Sequence, residues 1–374
     1  MIILIRGAGF TNKGSALMLC AILEKLRTRM PEAVIAMEPT GTETPVRLKR
    51  LDILPLGYFG RVSGYLPQAV RRSLKILTYR DVDIILDTSG FAYSDELGSS
   101  YTEKTASSIV RWKKCGIRII LLPQAFGPFL SPAIKTAFAA IAENSELIFV
   151  RDNESMAHIT SLALKKINLK KAPDFTNLIE GIIDERYSDK KKRICIIPNY
   201  QMIKKTEKQD GIKYTSLLGK LIKYLFENGE NPFFLIHGGR KDFLLSKEIS
   251  REIKNSEIVQ EENPLIIKGI IGCCKAVISS RYHGIISGLS QGVPTFGTKW
   301  SHKYNALFNE YDFPEGLFSV NLDERQIKKL ACFICRENEL EDARRRIMRA
   351  SLAQKKLAEE MWNEVFKIIN KQSP

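Results

Sequence analysis

Several things are scarce in this 374-residue chain, and each scarcity excludes something. Acids are outnumbered: 42 Asp+Glu stand against 57 Lys+Arg, which leaves a formal charge of +15. Cysteine is present at an odd count of seven (Cys20, Cys115, Cys195, Cys273, Cys274, Cys332, Cys335), irregularly spaced and mostly among apolar neighbours. That pattern argues against a secreted disulfide framework and for free thiols. Cys332-Phe-Ile-Cys335 has no second CxxC, and on a helix its thiols share a face, as core residues also do. No apolar run approaches the ~20 residues a spanning helix needs. The opening MIILIRGAGF has no basic leader and meets Arg6 at once, so it reads as a strand and not a signal peptide. The expected location is the cytoplasm, or a membrane's inner face. Histidine is rare too, at four residues, so each one's position carries weight.

What is present is globular. Hydrophobic residues make up 44% and charged residues 26%, which rules out wholesale disorder. The length suits two domains, each able to bury a core. The positive surplus suits nucleic acid, an anionic membrane or a phosphorylated small molecule, or is a background of surface lysines.

Apolar strands alternate with amphipathic helices. Strands are expected at 1–6, 33–37, 83–87, 119–122 and 147–151, and helices at 15–30, 102–114 and 131–143. A polar stretch at 181–193 breaks the rhythm. Strands resume at 194–197, 232–236, 258–259, 276–279 and 294–296, with helices near 214–228, 264–274 and 284–291. This predicts an α/β protein of two doubly wound, Rossmann-like domains facing a cleft. The expected bounds are 1–185 and 186–340, with 341–374 a C-terminal helix packing back on the body.

Ligands of such sheets bind beyond the carboxyl ends of the strands, so residues just after strands are the candidates. Gly7–Gly14 is a glycine-rich turn carrying Asn12, without Walker or dinucleotide spacing; it is a ligand-facing loop or a tight turn. Asp87-Thr-Ser89-Gly90 puts a carboxylate at a strand end, either to meet a hydroxyl as base or to cap a turn. Pro123-Gln124 offers an amide suited to orientation. Arg151-Asp152 either reaches for an anion or pairs locally while Asp152 caps a helix; Asp174 is a further acid at a possible strand end. His237-Gly238-Gly239-Arg240-Lys-Asp242 is a basic, glycine-rich loop at a strand's carboxyl edge or a solvated turn, and His158 reads as packing. The sharpest motif is Ser279-Ser280-Arg281-Tyr282-His283-Gly284, after a strand and at a helix start. An arginine there grips an oxyanion through two N–H groups, a histidine there moves a proton near neutral pH, and the helix terminus adds positive potential. Lys299, His302 and Lys303 follow downstream and would close over an anion.

At this motif the ordered set resembles the polysaccharide pyruvyl transferase family. The matching pieces are Asn12-Lys-Gly14, Asp87, Pro123-Gln124-x-x-Gly127-Pro128, Arg151-Asp152-x-x-Ser155, Pro173-Asp174, Ser280-Arg281-x-His283-Gly284, Gly292-x-Pro294 and Lys303, over about residues 1–310. The resemblance implies a fold similar to glycosyltransferase-B and transfer of pyruvate from phosphoenolpyruvate to sugar hydroxyls as a ketal. Phosphoenolpyruvate is then the donor substrate, with no cofactor and no metal. Arg281, Arg151, Lys303, His237 and Gly238 would bind the donor. His283 would donate the proton to the methylene carbon, and Asp87 would be the base. Asn12, Gln124 and Ser89 would bind the acceptor, a sugar or lipid-linked oligosaccharide of a polysaccharide precursor. The chain departs from the family at Thr88-Ser89-Gly90 where three glycines are usual, at Ser15 where an acid is usual, and at Ala125 where serine is usual.

The stretch from Tyr58 to Lys75 mixes apolar, aromatic and basic residues (Arg61, Arg71, Arg72, Lys75). It suits peripheral contact with an anionic membrane, or is an ordinary helix against the sheet. The Arg344–Arg349 cluster, early in the last helix, should answer to acids or an outer surface. The rival functions are a nucleotide-sugar glycosyltransferase of the same fold and a nucleic-acid-binding protein. Cations placed beside glycines at strand ends suit small anions, which argues against nucleic acid.

Overall fold

A computed structural model describes residues 1–10, 12–57, 66–204, 208–251, 253, 256–298 and 303–371. The chain divides into two compact units. The first comprises Met1–Thr11, Met18–Phe175 and Ala358–Pro374; the second comprises Asn12–Leu17 and Thr176–Leu357.

The first unit is built on seven strands: β1 (Ile2–Arg6), β2 (Val34–Met37), β3 (Leu54–Pro55), β4 (Ile84–Asp87), β5 (Arg118–Gln124), β6 (Leu147–Val150) and β7 (Leu169–Lys171). Their order is β3-β2-β1-β4-β5-β6-β7, and every pairing is parallel. The second has six: β8 (Ile194–Ile197), β9 (Phe233–Ile236), β10 (Glu257–Gln260), β11 (Ala276–Ser279), β12 (Thr295–Thr298) and β13 (Leu317–Phe318). Their order is β10-β9-β8-β11-β12-β13, again all parallel. Both sheets therefore reverse direction beside their first strand, between β1 and β4 and between β8 and β11. That reversal opens a crevice at the carboxyl ends, where α/β sheets take ligands.

The apolar runs read from the sequence explain this architecture. Strands in a parallel sheet are covered on both faces, so they lack polar alternation. In β8 the alternate residues Ile194 and Ile196 join one core with Phe234, Ile278 and Phe296. Cys195 and Ile197 join a second core with Phe233, Leu235 and Val277. The period of two sends successive side chains to opposite faces, and both faces are buried. All seven cysteines are free thiols; Cys332 and Cys335 are half-buried on the helix Glu324–Cys335.

The unit boundary falls at Phe175/Thr176, not at 185/186, and packing explains the shift. Phe175 is fully buried and meets Trp362 edge-on within the first unit. One residue later the Thr176 carbonyl accepts from buried Lys268 at 2.6 Å, and Asn177 Oδ1 accepts from Tyr311 at 2.8 Å. The polar stretch at 181–193 is thus surface of the second unit and no linker. The last helix, Glu337–Asn370, is likewise no separate element. Its Leu340, Ala343 and Ile347 belong to a core of the second unit. Its end belongs to the first, where Arg118 donates to the carbonyls of Ile368 and Ile369 at 2.6 and 3.2 Å.

Candidate functional site

In the first unit, strand register sets Arg6 at the end of β1 beside Asp87 at the end of β4. Arg6 Nη1 donates to Asp87 Oδ2 at 3.4 Å, its Nε lies 3.5 Å from Glu38, and its guanidinium sits 4.7 Å from the centre of the Trp112 ring. Burial works against the Arg6 charge, yet Asp87, Tyr101, Tyr93 and Glu38 together hold it more firmly protonated than usual. Asp87 is 2% exposed. It also accepts from the Tyr93 hydroxyl at 3.0 Å, from the Ser89 amide at 3.1 Å and from Gln124 Nε2 at 3.4 Å. Both carboxylate oxygens are therefore engaged. These bonds fit the turn-organising role weighed for Asp87. Burial, with Asp87 next, pushes the phenols of Tyr93 and Tyr101 up. Ser89 Oγ lies 2.6 Å from the Tyr101 hydroxyl. Gly7 sits opposite with φ +80°, and a Cβ there would collide with the Ser89 backbone. The glycine is needed both for its dihedral and for the space.

Arg151 also lies in the first unit and is 5% exposed. It donates to the buried Asp174 at 2.8 Å, and Asp152 caps the helix Asn153–Thr160 by accepting from the Ser155 amide at 2.7 Å. The local-pairing alternative describes this corner. Among the expected acceptor residues, Gln124 is fully buried; its Nε2 is given to Asp87, and its Oε1 accepts nothing from the described residues. Asn12 is exposed, clusters with the second unit, and accepts from the Gly14 amide at 2.8 Å.

The second unit assembles a different constellation. Between β11 and the helix Tyr282–Leu289, Ser280 is fixed from every side. Its hydroxyl accepts from Tyr214 at 2.9 Å and lies 2.6 Å from Thr298 Oγ1. Its carbonyl accepts from Asn199 Nδ2 at 2.8 Å and from the Tyr304 hydroxyl at 3.1 Å. Burial pushes the Tyr214 phenol up to about 12, so this network keeps its proton. Arg281 is the N-cap of that helix, where its side chain meets Asp242 through two bonds: Nε to Oδ2 at 2.7 Å and Nη2 to Oδ1 at 2.5 Å. Asp242 is 1% exposed and also accepts from the Tyr200 amide at 3.0 Å.

His283 follows on the first turn of the same helix. Gly14 packs against its ring, and a Cβ at Gly14 would collide with His283 Nδ1. His237, just past β9, is 3% exposed. Burial pushes it down to about 3, with Arg281, His283 and Lys13 adding to the effect. His237 is therefore neutral at physiological pH and donates no proton as a cation. Lys13 donates to the carboxylate and, at 3.0 Å, to the carbonyl of Glu262. A cavity of about 220 Å³ lies beside it, lined by Gly238, Gly239, Arg240 and Glu261 among others. A larger groove of about 820 Å³, between the helices Lys208–Glu227 and Arg240–Ser250, holds none of the motif residues.

Of the expected donor residues, the structure thus brings Arg281, His283, His237 and Gly238 together at one sheet edge. Lys303 opens the helix Lys303–Glu310, with its side chain outside the described part, and Lys299 and His302 lie outside the described residues. Sequence reasoning gave Asp242 and Lys13 no role of their own within their motifs and missed Arg6, Tyr93 and Tyr101 as site residues. Within the candidate membrane stretch, Arg71 is 7% exposed and bound to Asp81 at 3.1 Å, so this one residue presents no charge to a surface. Arg61 lies outside the described residues, as does the Arg72 side chain. Among the described residues no helix is long and apolar enough to cross a membrane. The Arg344–Arg346 charges answer to acids, namely Glu341, Asp342 and Glu315.

Comparison with known proteins bears on the fold and the family. The Staphylococcus aureus MnaA–UDP structure superposes with a TM-score of 0.63 at 11% identity, covering 100% of this chain and 98% of the other. The Anabaena Alr3699/HepE complex with UDP and glucose gives 0.58 at 11%, covering 99% of each. A Listeria monocytogenes putative UDP-N-acetylglucosamine 2-epimerase gives 0.62 at 8%, covering 100% and 97%. At these identities the likeness concerns the fold: two Rossmann-like parallel-sheet domains, as in glycosyltransferase-B-like nucleotide-sugar enzymes. No curated protein matches the sequence. The polysaccharide pyruvyl transferase family model, however, matches residues 12–302, most of the chain. The chain belongs to the polysaccharide pyruvyl transferase family.

Proposed function

We propose that this transferase moves pyruvate from phosphoenolpyruvate onto two hydroxyls of a sugar in a polysaccharide precursor. A proton adds to the methylene carbon of the donor, which becomes a methyl group. The adjacent carbon takes on oxocarbenium character, and a sugar hydroxyl adds to it and loses its proton. The carbon–oxygen bond to phosphate breaks, a second hydroxyl adds and loses its proton, and the ketal closes; of the two hydroxyl protons, one replaces the proton spent on the methylene carbon and the other leaves on hydrogen phosphate. The products are the pyruvylated sugar and inorganic phosphate.

One observation carries this reading: Arg281 and His283 stand together at the β8/β11 reversal, at the N-cap and on the first turn of one helix. Asp242 uses the Nε/Nη2 edge of Arg281, so the Nη1/Nη2 edge is the one directed to an oxyanion. The helix terminus adds positive potential for the same anion. His283 delivers the proton, positioned by the space that Gly14 leaves for its ring. His237, held neutral, lines the site without adding charge. Lys303 opens the next helix and is assigned to the same anion. On the first unit, Ser89 is assigned to an acceptor hydroxyl, and the buried Gln124 and Asp87 hold its turn in shape. Arg151, paired with Asp174, supports that unit from inside.

The test is incubation with phosphoenolpyruvate and candidate glycans, lipid-linked ones included, followed by phosphate release and by the ketal methyl signal in proton NMR. The proposal expects both with at least one acceptor. A thermal-shift series supplies the contrary result: stabilisation by nucleotide sugars and none by phosphoenolpyruvate would favour a nucleotide-sugar glycosyltransferase.

A further inference from the structure

A guanidinium has two edges that can each offer a pair of N–H groups: a side edge of Nε and Nη2, and an end edge of Nη1 and Nη2. In Arg281 the side edge is taken by Asp242, at 2.7 and 2.5 Å. The carboxylate is nearly solvent-free, at 1% exposure, against 18% for the Arg281 side chain. It is held from its own side as well. Asp242 stands in the first turn of the helix Arg240–Ser250, where its amide donates to the Gly239 carbonyl at 3.0 Å. Its Oδ1 accepts from the Tyr200 amide at 3.0 Å, and its carbonyl accepts from Ser246 at 2.9 Å. The two residues are 39 positions apart in sequence, so this pairing is made by the sheet order β9-β8-β11.

The surroundings are shaped to keep the pair intact. Gly238 carries no positive φ, so its backbone does not require glycine. A Cβ there would instead drive into Asp242 Oδ2 and Arg281 Nη2. A Cβ at Gly284 would collide with Ser279 Oγ. Ser279 Oγ in turn fixes the Arg281 backbone, accepting from its amide and donating to its carbonyl, both at 3.1 Å. Such a pair does more than neutralise charge. A buried bidentate carboxylate fixes the plane of the guanidinium, so the order of its end edge is already set before an anion arrives.

We infer that Asp242 is the positioning residue of the anion site: it locks the side edge of Arg281 so that the end edge meets the donor's oxyanion, and Gly238 is the space that lets it do so. Asp242 touches no substrate in this scheme and acts through Arg281. The inference rests on the donor assignment of Arg281 made above.

The experiment is a double-mutant cycle of Asp242→Asn and Arg281→Lys, read by calorimetric titration with phosphoenolpyruvate and by steady-state kinetics. Asparagine keeps the shape of Asp242 but turns one acceptor into a donor facing the guanidinium. In the Arg281 background, Asp242→Asn should raise the donor Kd and KM about ten-fold and change kcat less than about two-fold. In the Arg281→Lys background, which has no side edge to lock, it should change Kd less than about two-fold. An equal loss in both backgrounds, or no loss in either, would overturn the inference. Gly238→Ala should reproduce the Asp242→Asn effect without altering either charge, and it decides the matter if Asp242→Asn does not fold. If neither phosphoenolpyruvate nor inorganic phosphate binds the wild type, the donor assignment fails. Positioning is then judged by the Arg281 Nε–H NMR signal. A slowly exchanging signal lost in Asp242→Asn supports the lock, and an unchanged signal overturns it.

Discussion

Each unit places an arginine and an aspartate together where its sheet reverses, yet the two pairs differ in what they leave over. In the first unit Arg6 spreads its guanidinium among Asp87 at 3.4 Å, Glu38 at 3.5 Å and the Trp112 ring. Asp87 is shared with Tyr93, Ser89 and Gln124. That charge is consumed by its own neighbourhood and organises a turn. In the second unit Asp242 takes one edge of Arg281 through two short bonds, beside a histidine and glycines that keep the space clear. The same residue pair is a structural knot in one place and, on the function proposed above, a prepared anion grip in the other. The difference lies in how many acceptors each arginine meets.

The largest expected effect concerns the group that only the second pair has beside it. His283→Ala should lower kcat about 10²–10⁴-fold, as loss of a positioned proton donor does. Near-normal turnover would remove His283 from that role. Next, the same substitution made in both units should separate them. Arg281→Lys should weaken phosphoenolpyruvate binding by about 1.5–3 kcal/mol, the worth of a charged hydrogen bond. Arg6→Lys should leave donor affinity within about two-fold, whatever it does to stability. Equal losses in calorimetric titration would erase the distinction drawn here.

A smaller effect follows from His237. Its protonated form is disfavoured in the fold, where it titrates near 3, against an ordinary 6.5. Between those values the unfolded chain binds the extra proton, so stability falls as pH drops below about 6.5. The share at pH 5 is of order 2 kcal/mol. Urea unfolding at pH 5 and pH 7 should show a weaker pH dependence for His237→Asn; an identical slope would contradict a neutral, buried imidazole. The smallest effect is a control. Arg345 and Asp342 form an exposed pair, and Arg345→Ala should change stability by less than about 0.5 kcal/mol.

The alternation of apolar strands and amphipathic helices made both sheets readable from sequence, because strands covered on both faces leave uninterrupted apolar runs. The two- and three-residue edge strands at 54–55, 317–318 and 169–171 carry no such run, and only the finished sheet recruits them. Arg281 and His283 were legible because they stand between a strand and a glycine-rich helix start. The role of Asp242 was not. The turn from His237 to Asp242 read equally as a basic ligand loop or a solvated turn, and nothing local says that the next helix's first turn faces a strand end 39 residues on. Arg6 and Asp87 are 81 residues apart and meet only through the register of β1 on β4. Arg71 misled for the opposite reason. Its basic neighbours suggested a surface, while Asp81 and the Leu66 carbonyl draw it inside.

The central claim is that the second unit's reversal point holds the donor through the end edge of Arg281. A crystal structure of the protein soaked with phosphoenolpyruvate tests it most directly. The account predicts a donor oxyanion within hydrogen-bond distance of Arg281 Nη1 and Nη2, with the Asp242 pair intact and the methylene carbon beside His283. Donor density away from Arg281, or bound to it only after the Asp242 pair has opened, would contradict it.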